Sequence, residues 1–171
     1  MGSEAEAFLA PDDDARPPGR WWDIGLFVIA VVLAWSFRPP YFTDWDSFDY
    51  TFQAVRGEPS TLCSGRAYFV GMHAIAWRLG HGLFALKVDQ AFLLFRNLTI
   101  VLGGLTEVAV LRAAFHLTRS SKAAVIAALI WATGPQPIIY AGSIMTEIPT
   151  MLLFCVSIII TEIAVRRSRP G

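Results

Sequence analysis

The sequence predicts an all-α integral membrane protein, with about four transmembrane helices, further helices lying on the extracytoplasmic surface, and both termini in the cytoplasm. Three observations carry that prediction. First, the 171 residues are 54% hydrophobic and only 16% charged, with a mean hydropathy of +0.48, whereas soluble domains carry about 25% charged residues. Second, the apolar residues gather into long runs separated by polar stretches. Third, the basic residues sit at the ends of those runs, as Arg16/Arg20, Arg119/Lys122 and Arg166/Arg167/Arg169. Four spans put all three groups on one side, which the positive-inside rule makes the cytoplasm. Fourteen basic and fourteen acidic residues give a net charge of zero, so nothing points to nucleic acid as a partner. Cys63 falls in a polar stretch and Cys155 in an apolar run, a spacing that suggests neither a disulfide framework nor a metal site.

Residues 1–20 are acidic, then proline-rich, then basic, with no apolar period, and read as a disordered cytoplasmic tail. Trp21 to Phe37 is the first span, with tryptophans at one end and Trp35 and Phe37 at the other, as interfacial aromatics require. The long acidic leader and the lack of a small-residue cleavage site favour an uncleaved anchor over a signal peptide. Residues 38–66 form a polar loop in which Ser47 to Gly57 reads as one short helix ending at the glycine. Ala67 to Leu86 is apolar but carries His73, Arg78 and His81. A fifth span there would put two basic groups outside, so the stretch is expected to lie along the outer interface as an amphipathic helix. Leu98 to Leu117 is the second span, with Gly103-Gly104 suited to close helix contact. Ala123 to Tyr140 is the third, broken near its end by Pro135 and Pro137. Met145 to Val165 is the fourth, with Pro149 in its first turn, where a missing N–H costs little. Residues 166–171 form a basic cytoplasmic end.

The candidate chemistry lies in YFTDWDSFDYTF, residues 41–52, where Asp44, Asp46 and Asp49 stand among six aromatic residues. Asp46 and Asp49 share a helical face, and Tyr50 follows Asp46 by four residues. Carboxylates in such a pattern serve as a general base, as a proton-sharing pair or as metal ligands. They also occur as helix-start acids favoured by the macrodipole. Glu147, at the outer start of the fourth span, invites the same two readings. Arg66 and Arg96 bracket the interfacial helix, as lipid-phosphate ligands or as arginines that snorkel to headgroups. Glu107 lies mid-span, where a charge costs at least about 2.5 kcal/mol, and is expected to make a polar contact with helices beyond this chain. Arg112 lies on another face and is a poor partner for it. Glu162 and Arg166 form an i,i+4 structural pair.

An N-terminal span followed by an outer loop with WDSFDYTFQAVRGEP (45–59), then LFRNLTIVLGGLTEVAVL (94–111) and AAVIAALIWATGPQPIIYAGSIMTEIPTMLLF (123–154), resembles the GT-C membrane glycosyltransferases. These include the protein O-mannosyltransferases of glycosyltransferase family 39 and the bacterial lipid A aminoarabinose transferases. The resemblance covers about residues 20–165, which correspond to the front of the family only. It implies transfer of a sugar from a polyprenyl-phosphate donor, with inversion, to an acceptor hydroxyl at the extracytoplasmic face. It aligns Asp46 with the family's catalytic aspartate, Tyr50 with the tyrosine four residues on, and Glu147 with an acid at the fourth helix. Many members carry Glu directly after the aspartate, where this chain has Ser47, so Asp44 stays open as the base and a divalent metal stays an open requirement. Family members have many more spans, so this chain is expected to be an N-terminal piece, inactive without the remaining transmembrane helices, in a bacterial cytoplasmic membrane. Two other classes fit the same residues: a non-catalytic membrane assembly subunit, with the aspartates in a solvated loop, and a transporter fragment, with Glu107 as its telling residue.

Overall fold

A computed structural model describes residues 16–40, 44–58 and 66–168. These residues form helices α1 (Arg20–Phe37), α2 (Trp45–Arg56), α3 (Ala67–Phe84), α4 (Ala91–Thr118), α5 (Ser121–Ala132), α6 (Pro135–Gly142) and α7 (Glu147–Ser168), with a 3₁₀ turn at Val88–Gln90 before α4. No strand occurs among the described residues. Three helical stretches are long and apolar enough to cross a membrane: Arg20–Phe37, Val88–Thr118 and Glu147–Ser168. The pair α5 and α6 makes a fourth if the two count as one span bent by 57°. α3 does not qualify.

The long α4 is the centre against which the other spans pack. Its small residues make this possible, because a Cβ added at Gly103 would lie 2.7 Å from the Ala141 Cβ of α6. A Cβ added at Gly104 would lie 2.7 Å from the Phe27 ring of α1. Close helix approach of this kind replaces the hydrophobic driving force that a membrane does not supply between helices. The helix also begins earlier than expected, at Ala91 rather than Leu98, and so takes Arg96 into its first turns. Arg96 Nη1 donates to the Pro39 carbonyl at 2.5 Å and its guanidinium faces the Phe92 ring.

The third run also differs from a span with a terminal turn. Gly134 breaks it, and Pro135 and Pro137 start a separate eight-residue helix, since proline fits a first helical turn and disrupts a helix interior. Near the N-terminus, residues 1–15 of the tail lie outside the described residues. Pro18 is buried, and the Arg16 carbonyl accepts a hydrogen bond from the Ser121 hydroxyl at the start of α5. Arg166 Nη2 donates to the His116 carbonyl at 3.2 Å, so the ends of α4 and α7 also meet. The start of α1, the α4–α5 connection and the end of α7 therefore share one end of the bundle.

At the other end α2 and α3 pack together. Tyr50, Phe69, Val70, Phe95 and Ile144 are buried in one apolar cluster that joins both helices to α4 and to the turn before α7. The Tyr50 and Phe69 rings meet edge-on at 5.2 Å. α2 stops where the sequence marks its stop: Gly57 takes φ +75, and its N–H bonds the Gln53 carbonyl at 2.8 Å. A side chain there would be strained in a left-handed conformation.

Candidate functional site

α2 presents the three aspartates in three different settings. Asp44 is the N-cap, and its carboxylate accepts from the Ser47 N–H at 2.6 Å and from the Ser47 hydroxyl at 2.8 Å. Ser47 thus serves the acid before it in the helix cap. Its hydroxyl also approaches the Ile144 carbonyl at 3.3 Å, which ties the start of α2 to the turn ahead of α7. Asp49 accepts from the Gln53 side chain, one turn on, at 2.6 Å. Asp46 is paired with a cation from another element. Arg66 Nη1, at the start of α3, lies 3.5 Å from its Oδ2, with the side chains 34% and 39% exposed. The same guanidinium stands 5.3 Å from the centroid of the Tyr50 ring.

Tyr50 is 1% exposed. Burial pushes its hydroxyl pKa up to about 12, with the negative charges of Asp46, Glu147 and Asp49 adding to the rise and Arg66 opposing it. Tyr50 therefore keeps its proton throughout the physiological range. The four charged groups that act on Tyr50 come from α2, the N-cap of α3 and the start of α7, which brings Asp46, Tyr50, Arg66 and Glu147 to one end of the molecule. Glu147 is the first residue of α7, where the macrodipole favours an acid, and Thr146 donates to it at 3.5 Å.

Arg96 does not join this group. It is 5% exposed, on α4, and its contacts are Pro39 and Phe92. Tyr68 is a residue the sequence did not single out. Its hydroxyl lies 2.6 Å from that of Thr150 and 3.5 Å from the Thr146 carbonyl, clamping α3 to α7 beside Glu147. Only its exposed position one residue into an aromatic helix start could have marked it.

On the face of α2 turned away from Asp46, that helix borders with the 3₁₀ turn and the start of α4 an apolar groove of about 270 Å³, lined by Phe48, Phe52, Val55 and Phe92, with Arg56 and Asp89 at its rim. Among the described residues, no three His, Cys, Asp or Glu side chains gather closely enough to hold a metal ion.

Glu107 departs from its expected role. It is 1% exposed and turned toward neighbours within the chain: a cavity of about 10 Å³ bounded by Ala30, Gly103, Trp131, Pro137 and Ala141. Its Oε1 has no hydrogen-bond partner among the described residues. The expectation of a contact with helices beyond this chain is thus corrected, because α1, α5 and α6 already close around it. Arg112, rejected as a partner for Glu107, instead pairs with Asp23 of α1, its Nε 2.9 Å from Oδ1 and its Nη2 on Oδ2. The Glu162–Arg166 pair forms as expected, at 2.6 Å.

No protein-family model, curated protein or solved structure matches this chain.

Proposed function

We propose that this chain is a membrane module of a glycosyltransferase that moves a sugar from a polyprenyl-phosphate donor to an acceptor hydroxyl at the extracytoplasmic face. Asp46 is its general base. The observation that carries this reading is the sorting of the three aspartates. All three are part-exposed, but Asp44 is used in a helix cap and Asp49 bonds within its own helix, whereas Asp46 is held by Arg66 from the start of α3. In the reaction the Asp46 carboxylate takes the acceptor's hydroxyl proton as that oxygen attacks the anomeric carbon. The bond from that carbon to the phosphate oxygen breaks, its electron pair leaves with the lipid phosphate, and the configuration inverts. A fixed base in hydrogen-bonding reach is what such a step requires. Tyr50, retaining its proton, and Arg66 stand beside it to orient polar groups of the two substrates.

The topology belongs to the same proposal. Arg20, the Arg119/Lys122 turn and Arg166/Arg167 occupy the end of the bundle opposite the aspartates, in agreement with cytoplasmic termini and an extracytoplasmic acid cluster. The membrane proposed is a bacterial cytoplasmic membrane, and the partners are the lipid-linked sugar, the bilayer and further transmembrane helices. The test is transfer from radiolabelled polyprenyl-phosphate sugars in membranes expressing, at its native length, the gene that encodes this sequence. Transfer above empty-vector membranes supports the proposal. Its absence across hexose and pentose donors favours a non-catalytic assembly subunit instead.

A further inference from the structure

Arg96 is a buried cation whose needs the described residues do not meet. Only 5% of it is exposed, its Nε has no hydrogen-bond partner, and its Nη1 is satisfied by a neutral acceptor, the Pro39 carbonyl. No carboxylate pairs with it, because the four ion pairs of the described residues lie elsewhere. The proline whose carbonyl it binds follows another arginine, Arg38, directly in the chain. Arg38 likewise forms no ion pair among the described residues. Its guanidinium lies 3.8 Å from the centroid of the Trp35 ring and donates to the Trp35 carbonyl.

Two arginines therefore meet at one short segment, and among the described residues no carboxylate pairs with either. A buried ion left unpaired costs several kcal/mol, so such an arrangement persists when something anionic completes it. Its place in the fold says what that is. The pair sits where α1 ends, beside Trp35 and Phe37, which are 45% and 69% exposed and mark a membrane–water interface. Phosphate oxygens suit the guanidinium fork, which binds them in a bidentate manner.

We infer that Arg38 and Arg96 form a binding site for the phosphate group of an anionic membrane lipid at the junction of α1 and α4, separate from the Asp46–Arg66 group. The lipid bridges the two arginines and fastens the end of the first span to the central helix. This assignment is independent of sugar transfer.

The test is thermal unfolding of the purified full chain in detergent while dioleoylphosphatidylglycerol is titrated in. Dioleoylglycerol, which lacks phosphate, and inorganic phosphate serve as parallel probes. The variant is Arg38→Gln, since Arg38 is half-exposed and its loss leaves the buried contacts of Arg96 in place. Arg56→Gln removes the same charge from a distant surface position. The expected result is stabilisation by phosphatidylglycerol and not by dioleoylglycerol. The lipid concentration for half-maximal effect should rise about tenfold in Arg38→Gln, the loss of one charge-assisted contact, and stay unchanged in Arg56→Gln. An equal lipid response in the wild type and Arg38→Gln would overturn the site. Stabilisation by inorganic phosphate alone, abolished in Arg38→Gln, would overturn its assignment to a lipid.

Discussion

Arg66 holds Asp46 across twenty positions of chain, with a guanidinium nitrogen 3.5 Å from the carboxylate and the same group over the Tyr50 ring. Both partners are about one-third exposed, so the pair contributes little to stability, on the order of 1 kcal/mol or less. Its importance lies in where it puts the carboxylate. Arg66→Gln is expected to leave the unfolding midpoint nearly unchanged while lowering sugar transfer at least tenfold, read by comparing melting curves with initial rates in the same membranes. A large loss of stability would mean that Arg66 is a structural residue.

Asp44 gives the opposite pattern. Its carboxylate caps α2 through the Ser47 N–H, and removing a cap costs about 1 kcal/mol. Asp44→Ala should therefore lower stability by about that amount and keep transfer activity, and Asp44→Asn, which preserves a cap, should be close to neutral in both. Denaturation curves and transfer rates of the two variants check this.

The Asp23–Arg112 pair joins α1 to α4 with two hydrogen bonds, and its side chains are only 23% and 26% exposed. Leaving one partner alone in that setting costs about 1–3 kcal/mol. Asp23→Asn should lower stability by an amount in that range, and the Asp23→Asn/Arg112→Gln double variant should cost less than the sum of the singles. Additive losses in this double-mutant cycle would show that the two residues do not interact.

His73 makes the fold sensitive to acid. It is fully buried between the rings of Phe69 and Phe95, and its Nδ1 lies 2.8 Å from the Phe69 carbonyl. Burial lowers its pKa from 6.5 to about 4, with the Phe69 and Phe95 carbonyls partly opposing the shift. Between those values the unfolded chain binds the proton and the folded chain does not, so stability rises with pH. The contribution is complete above pH 6.5 and is lost as pH falls toward 4, by about 3 kcal/mol in all. His73→Phe should flatten the pH dependence of the unfolding midpoint over that window. An unchanged slope would contradict the buried neutral imidazole.

What could be read in advance was local in sequence. Gly57 as a helix stop, Pro149 in a first turn, the break at Pro135 and Pro137, and the Glu162–Arg166 pair each depend on residues within one turn of each other. The apolar runs likewise marked the spans, because a bilayer demands length and little else. Contacts made between helices were not legible. Asp23 meets Arg112 across 89 positions, Tyr68 meets Thr150 across 82, and Arg96 reaches Pro39 across 57. Nothing in spacing or composition selects those partners, since they depend on how helices lie beside α4. The three aspartates were equivalent as a sequence pattern for the same reason: a cap, a helix-internal bond and a cross-element ion pair differ only in three dimensions.

The most direct measurement is sugar transfer by Asp46→Asn beside Asp44→Asn, in membranes expressing the native-length protein at matched levels and with matched melting behaviour. Losing the general base is expected to lower the rate at least a hundredfold in Asp46→Asn, while Asp44→Asn stays within a few-fold of wild type. Retained transfer in Asp46→Asn, or its loss in Asp44→Asn alone, would contradict the assignment of Asp46 as the base.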